Sequence, residues 1–118
     1  MIIDDPKMMV KFEKALRLSN NLYNLDDIAS DLRNGRMQGH TIGNSWALTQ
    51  VHDWPRRRSV NIMYVIGEVP DMLELEAKVE KWAKEVGANL MTATGREGWS
   101  VFLHDNWKKV GTLYSKDI

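Results

Sequence analysis

Cysteine is absent from this 118-residue chain, which excludes a disulfide framework and thiolate-ligated metal and suits a reducing compartment. Net charge is absent too. Lys plus Arg number 16 and Asp plus Glu number 16, so no overall field draws the molecule to nucleic acid or to an anionic membrane. No apolar run approaches the roughly 18 residues that span a bilayer. The segment Met1 to Val10 carries Asp4, Asp5 and Pro6 where a signal peptide needs a basic start and an apolar stretch. A cytoplasmic protein with no membrane step is therefore expected. The Gly-x-Ser-x-Gly elbow, the Lys-bearing phosphate loop and a Gly-x-Gly-x-x-Gly after a strand are all missing, and with them the common hydrolase and nucleotide-binding signatures. His40, His52 and His104 fall in different elements, and none has a second His or a carboxylate at i, i+4, so no metal is expected.

What is present is enough apolar surface for one globular domain over residues 1–118. Hydrophobic residues make up 43% and charged residues 27% of the chain, with 5 Trp and 7 Met, which sets it apart from a disordered polypeptide. The most regular stretch runs from Ser59 to Ala93. Val60, Ile62, Tyr64 and Ile66 alternate with Asn61, Met63 and Val65, so both faces are largely apolar, as in the interior of a sheet. Gly67 and Pro70 end that strand. Asp71 with Glu74 three residues later has the spacing of a capping box. Met72, Leu75, Val79, Trp82, Ala83 and Val86 then form one helix face, Glu74, Lys78, Lys81 and Lys84 the other, and Gly87 stops the helix. With a second strand at Asn89 to Ala93 this predicts a right-handed parallel strand-helix-strand unit.

Before it, Asp5-Pro6 starts a helix with the stripe Met9, Phe12, Ala15 and Leu16, up to Ser19. Asn20, Asn21 and Asn24 make a polar joint. Leu25, Ile28, Ala29 and Leu32 predict a second short helix ending at Gly35, with Asp26 and Asp27 where its dipole favours negative charge. From Arg36 the period changes to two. Met37 to Ile42 is a weak strand, Gly43-Asn44 a turn, and Trp46 to Val51 a stronger strand that pairs antiparallel with the one at Val60, because the linker between them is too short for a crossover. After the central unit, Trp99, Phe102 and Leu103 suggest a short helix, and Val110, Thr112 and Tyr114 a last strand.

Three groups of residues have chemistry to offer. Arg56, Arg57 and Arg58 beside Trp54 can grip phosphate or an acidic partner through planar donor forks and an indole face, or can be a solvated connection. Gly95-Arg96-Glu97-Gly98-Trp99 can expose amides to an anion, or can be a tight turn with Trp99 as core filler. Glu68, at the end of the central strand, can act as a general base or as a solvated strand end. Trp46, Trp82 and Trp107 read as core.

The element order, two helices, an antiparallel pair, strand, long helix, strand, short helix and last strand, resembles the GNAT acetyltransferase fold, an α+β architecture with a mixed sheet. The C-terminal stretches Gly95-Arg96-Glu97-Gly98-Trp99, Asn106-Trp107 and Tyr114-Ser115-Lys116-Asp117-Ile118 look like the end of small GNAT-like proteins encoded by bacteriophages, with Asn106 in place of a glycine. In active members of that family a basic, glycine-rich turn after the central strand holds the pyrophosphate of acetyl-CoA. Here that position reads Ile66-Gly67-Glu68-Val69-Pro70-Asp71. Proline removes a donor amide, and a carboxylate about 4 Å from a phosphate costs on the order of 1–4 kcal/mol. The resemblance therefore implies a non-catalytic domain without cofactor, working through protein contacts. Its most concrete role would be a virion or virion-assembly component, or an inhibitor of a host protein, found in the infected cell's cytoplasm or in the virion. The expected contact residues are Trp54, Arg56, Arg57, Arg58, Arg96 and Trp99. The expected partner is a phage structural protein or a host protein, with homo-oligomerisation open and nucleic acid disfavoured by the zero net charge. The alternative is an acetyl-CoA-dependent N-acetyltransferase with Glu68 as base and Tyr114 as acid.

Overall fold

A computed structural model of the chain describes residues 6–18, 21–94 and 107–118. Helices α1 (Pro6–Leu18) and α2 (Leu25–Arg33) precede strands β1 (Gln38–Ile42), β2 (Ser45–Asp53) and β3 (Arg58–Ile66). A 3-10 turn, Val69–Asp71, leads into α3 (Met72–Glu85), and β4 (Leu90–Ala93) follows. The sheet order is β1-β2-β3-β4. β1 pairs with β2 and β2 with β3 antiparallel, whereas β3 and β4 run parallel, as the crossover through α3 requires. Among the described residues no helix is long and apolar enough to cross a membrane.

Two apolar layers hold the sheet between its helices. On one face Phe12 and Leu16 of α1 and Ile28 of α2 meet Met37, Leu48, Tyr64 and Ile66. On the other, Leu75, Val79 and Ala83 of α3 cover Ala47, Val60 and Ile62. The second layer also takes in Trp82, Met91 and Trp107.

That division corrects the reading of β3 as a strand with Val60, Ile62, Tyr64 and Ile66 on one face. Thr49 pairs with Ile62 and Leu48 with Tyr64, so Met63 is an extra residue with no opposite number on β2. A bulge of this kind shifts the side-chain alternation by one. Val60 and Ile62 consequently face α3, whereas Tyr64 and Ile66 face α1 and α2. The sequence pattern conceals the shift because both faces of β3 are apolar.

Two helix ends differ in how they are made. Asn24 caps α2 by accepting the Asp27 amide at 2.8 Å, while the Asp27 side chain accepts the Asn24 amide at 2.9 Å, a complete capping box. At α3 the expected box of Asp71 and Glu74 is not formed. Asp71 has helical backbone angles and makes no side-chain cap, because its carboxylate is engaged elsewhere. The helix stops where Gly87 adopts φ +82°, as its glycine suggested.

The expected last strand is also corrected. Residues 107–118 form no strand, and Val110, Leu113 and Tyr114 are largely exposed. An alternating apolar pattern makes a strand only where an edge accepts it, and here Trp107 ties the segment down. Its indole N–H donates to Glu76 Oε1 at 2.6 Å, and its ring packs on the α3 layer. The short helix expected at Trp99, Phe102 and Leu103 lies outside the described residues.

Candidate functional site

The bend between β3 and α3 is built around Ser45, the first residue of β2. Ser45 is fully buried. Its hydroxyl donates to Asp71 Oδ2 at 2.7 Å and accepts the Glu68 amide at 2.8 Å. Two further amides of the turn are engaged within it. The Asp71 amide bonds to Glu68 O at 3.1 Å, the Met72 amide to Val69 O, and Pro70 has none to offer. The bend is also pressed against β2. Gly67 sits at φ +145°, and a Cβ there would overlap Ser45 Oγ, Cβ and Cα, so no other residue fits. Three of the donors that could converge on an anion thus serve the protein's own backbone and hydroxyl.

The charge of the bend is negative. Glu68, with a side chain 65% exposed, makes an ion pair with Lys11 of α1 at 3.7 Å, a surface contact of small energetic weight. Tyr114, the other member of the candidate catalytic pair, lies on the exposed C-terminal segment with 87% of its surface open. No hydrogen bond joins Glu68 to Tyr114 among the described residues.

The arginine run has a different organisation from a uniform charged strip. Arg58 Nε meets Asp53 Oδ1 at 2.6 Å and its Nη1 donates to Val86 O at 2.7 Å, so the guanidinium ties the β2–β3 hairpin to the last turn of α3. The Asp53 hydrogen bond, and then its charge, push the Arg58 pKa further up. Arg57 Nη2 donates to Asn89 O at 2.8 Å, and Nε to Asn89 Oδ1 at 3.4 Å, holding the loop that enters β4. Arg56 makes no hydrogen bond or ion pair among the described residues.

Trp54 completes the hairpin tip. Its backbone amide closes the turn onto Arg57 O at 2.8 Å, and its indole N–H donates to Ser59 Oγ at 2.9 Å. The residue is nevertheless 59% exposed. Trp54, Pro55, Arg56 and Arg57 form a groove together with Leu90 and Thr92 of β4. Three of the six expected contact residues, Trp54, Arg56 and Arg57, thus line one groove, whereas Arg58, on the same hairpin, is engaged with Asp53 and Val86. The remaining two, Arg96 and Trp99, lie outside the described residues.

Sequence reasoning missed Ser45 and Asn89. Both act on residues far along the chain, and neither belongs to a local motif. Ser45 is legible only as a small polar residue after the Gly43-Asn44 turn.

No family profile matches the chain, and no curated protein matches it. Among solved structures the chain is similar to TTHA1254 from Thermus thermophilus, at 16% identity and a TM-score of 0.58, over 80% of this chain and 82% of that one. A single-residue mutant of the same protein matches at 18% identity and a TM-score of 0.51, over 80% and 83%. A structure described as "a probable acetyltransferase" matches at 11% identity and a TM-score of 0.53, over 88% and 87%. The likeness is one of fold: the chain has a GNAT-like, mixed α+β architecture.

Proposed function

We propose that this protein is a non-catalytic GNAT-like domain that acts by binding another protein. The observation that carries the reading is the bend from Gly67 to Asp71. In an acetyl-CoA enzyme of this fold that turn offers free amides to a pyrophosphate. Here Ser45 accepts the Glu68 amide and holds the Asp71 carboxylate, so the same place presents engaged donors and negative charge. A helix N-terminus attracts an anion through its unpaired amides and its dipole. Internal pairing of the turn amides removes much of that attraction, and the carboxylates oppose the rest.

The contact surface is the hairpin tip, where exposed Trp54 and Arg56 supply the two residue types that most often dominate interface energetics. The partner is a phage structural protein or a host protein. The role implied by the C-terminal resemblance is that of a virion or virion-assembly component, or else of a host-protein inhibitor, in the cytoplasm of the infected cell or in the virion.

A second reading, N-acetyl transfer with Glu68 as base and Tyr114 as acid, draws on the fold shared with the acetyltransferase-like structure. Thermal melting separates the two. A ligand that binds only the folded state at about 100 times its Kd adds ~2.7 kcal/mol and raises Tm by several degrees. The non-catalytic reading expects no change in Tm at saturating acetyl-CoA. A concentration-dependent rise supports the enzyme.

A further inference from the structure

The hairpin-tip groove has a composition that specifies what it would bind. Its lining is almost wholly carbon, contributed by Trp54, Pro55, Leu90, Thr92 and the two arginines Arg56 and Arg57, both of which are exposed residues. No acidic side chain lines it among the described residues, and Asp53, the acid nearest in sequence, is held by Arg58. Arg57 is half engaged with Asn89. Arg56 is left, among the described residues, as a cation with no internal counter-charge.

The groove is also held in shape before any ligand arrives. The Trp54 amide on Arg57 O, the Trp54 indole on Ser59, and Arg57 on Asn89 fix its two walls through separate hydrogen bonds. Thr92 is turned by its hydroxyl's bond to Asn61 Oδ1 at 3.0 Å. Such restraint lowers the ordering entropy that binding would otherwise cost.

We infer that this groove is a docking site for an acidic peptide segment with an apolar or aromatic anchor, contributed by the partner protein. The anchor lies against Trp54 and Leu90, and a flanking carboxylate pairs with Arg56. This rests on the reading of the domain as a protein-binding module and adds the chemistry of the partner. A basic segment would meet Arg56 and Arg57 as like charges, and a wholly apolar one would leave Arg56 desolvated without a counter-ion.

The test uses three dye-labelled peptides, Asp-Glu-Leu-Phe-Asp-Glu, Lys-Lys-Leu-Phe-Lys-Lys and Asp-Glu-Gly-Ser-Asp-Glu, titrated by fluorescence anisotropy against the full chain. The first binds, in a range on the order of hundreds of micromolar to be expected of a single short segment; the other two bind at least about tenfold more weakly. Arg56→Glu weakens the acidic peptide by about tenfold and Trp54→Ala by about thirtyfold, whereas Lys81→Glu, an equal change in net charge on exposed α3, leaves it unchanged. Added salt weakens the acidic peptide in the wild type and not in Arg56→Glu. Circular dichroism confirms that each variant is folded. Absence of saturable binding, equal affinity for acidic and basic peptides, or equal effects of Arg56→Glu and Lys81→Glu overturn the inference. Those outcomes leave the acetyl-CoA melt unaffected, so failure of the groove chemistry and failure of the non-catalytic reading are told apart.

Discussion

The Ser45 hydroxyl and the Asp71 carboxylate, 26 residues apart in the chain, meet at 2.7 Å and draw the start of α3 onto the start of β2. The contact explains why Asp71 does not cap its own helix, and it fixes the bend against the ends of the two central strands. Ser45→Ala removes the donor to Asp71 and the acceptor for the Glu68 amide in one change. The expected loss is about 1–3 kcal/mol, the usual cost of leaving a buried polar partner unpaired. Urea denaturation at neutral pH measures it.

Gly67 is a stricter test of the same packing. Gly67→Ala puts a methyl group into Ser45 and forces a backbone angle that only glycine adopts readily. A loss of about 3 kcal/mol or more is expected. Because Ser45 Cα is among the overlapping atoms, adding Ser45→Ala should not rescue the variant. Recovery of wild-type stability in the double variant would show that the side chain, not the backbone approach, sets the constraint.

Much of the architecture can be read from residue order, and the parts that cannot share a cause. The parallel β3-α3-β4 unit follows from alternation, helical spacing and Gly87, all local signals. Pro6 and the Phe12-Leu16 stripe locate α1 in the same way. What local pattern conceals is any feature whose partner lies far along the chain. The Met63 bulge is invisible because β3 is apolar on both sides. Asp71 has the spacing of a cap, but Ser45 competes for its carboxylate and wins. The arginine run reads as surface charge, yet Arg57 and Arg58 bind Asn89 and Val86, some thirty residues on. All three arginines and Trp54 stay exposed, as the sequence suggested, and of the three arginines Arg56 makes no hydrogen bond or ion pair among the described residues.

At α2 the capping box sets a smaller quantity. Asn24→Ala breaks the bond to the Asp27 amide, and a loss of about 1 kcal/mol is expected. Asn24→Asp keeps the acceptor and should stay close to wild type, which isolates the cap from any effect of the side chain's size.

His40 gives a pH dependence with a defined sign. It is 6% exposed and stacks edge-on against Trp82 at 4.9 Å. Thr49 donates to Gln38 Oε1 at 3.1 Å, so its oxygen accepts from His40 Nε2–H at 3.0 Å. Burial, and then the nearby Lys78 charge, lower the His40 pKa below its ordinary value. The unfolded chain therefore takes up the proton more readily than the folded one. Stability is full above about pH 6.5 and declines as the pH falls below it, with a slope no steeper than one proton, about 1.4 kcal/mol per pH unit. His40→Gln keeps a donor and does not titrate. The wild-type curve minus the variant curve, measured by urea denaturation from about pH 7.5 to about pH 5, should fall with acid. A flat difference would contradict the assignment.

Backbone amide resonances test most directly whether the bend is closed to the coenzyme. Titrating the labelled protein with acetyl-CoA to about 1 mM, the account predicts no saturable shift at the Gly67, Glu68, Val69 and Asp71 amides, since Ser45 and the turn's own carbonyls already engage those of Glu68 and Asp71. Saturable shifts concentrated on those amides would contradict it.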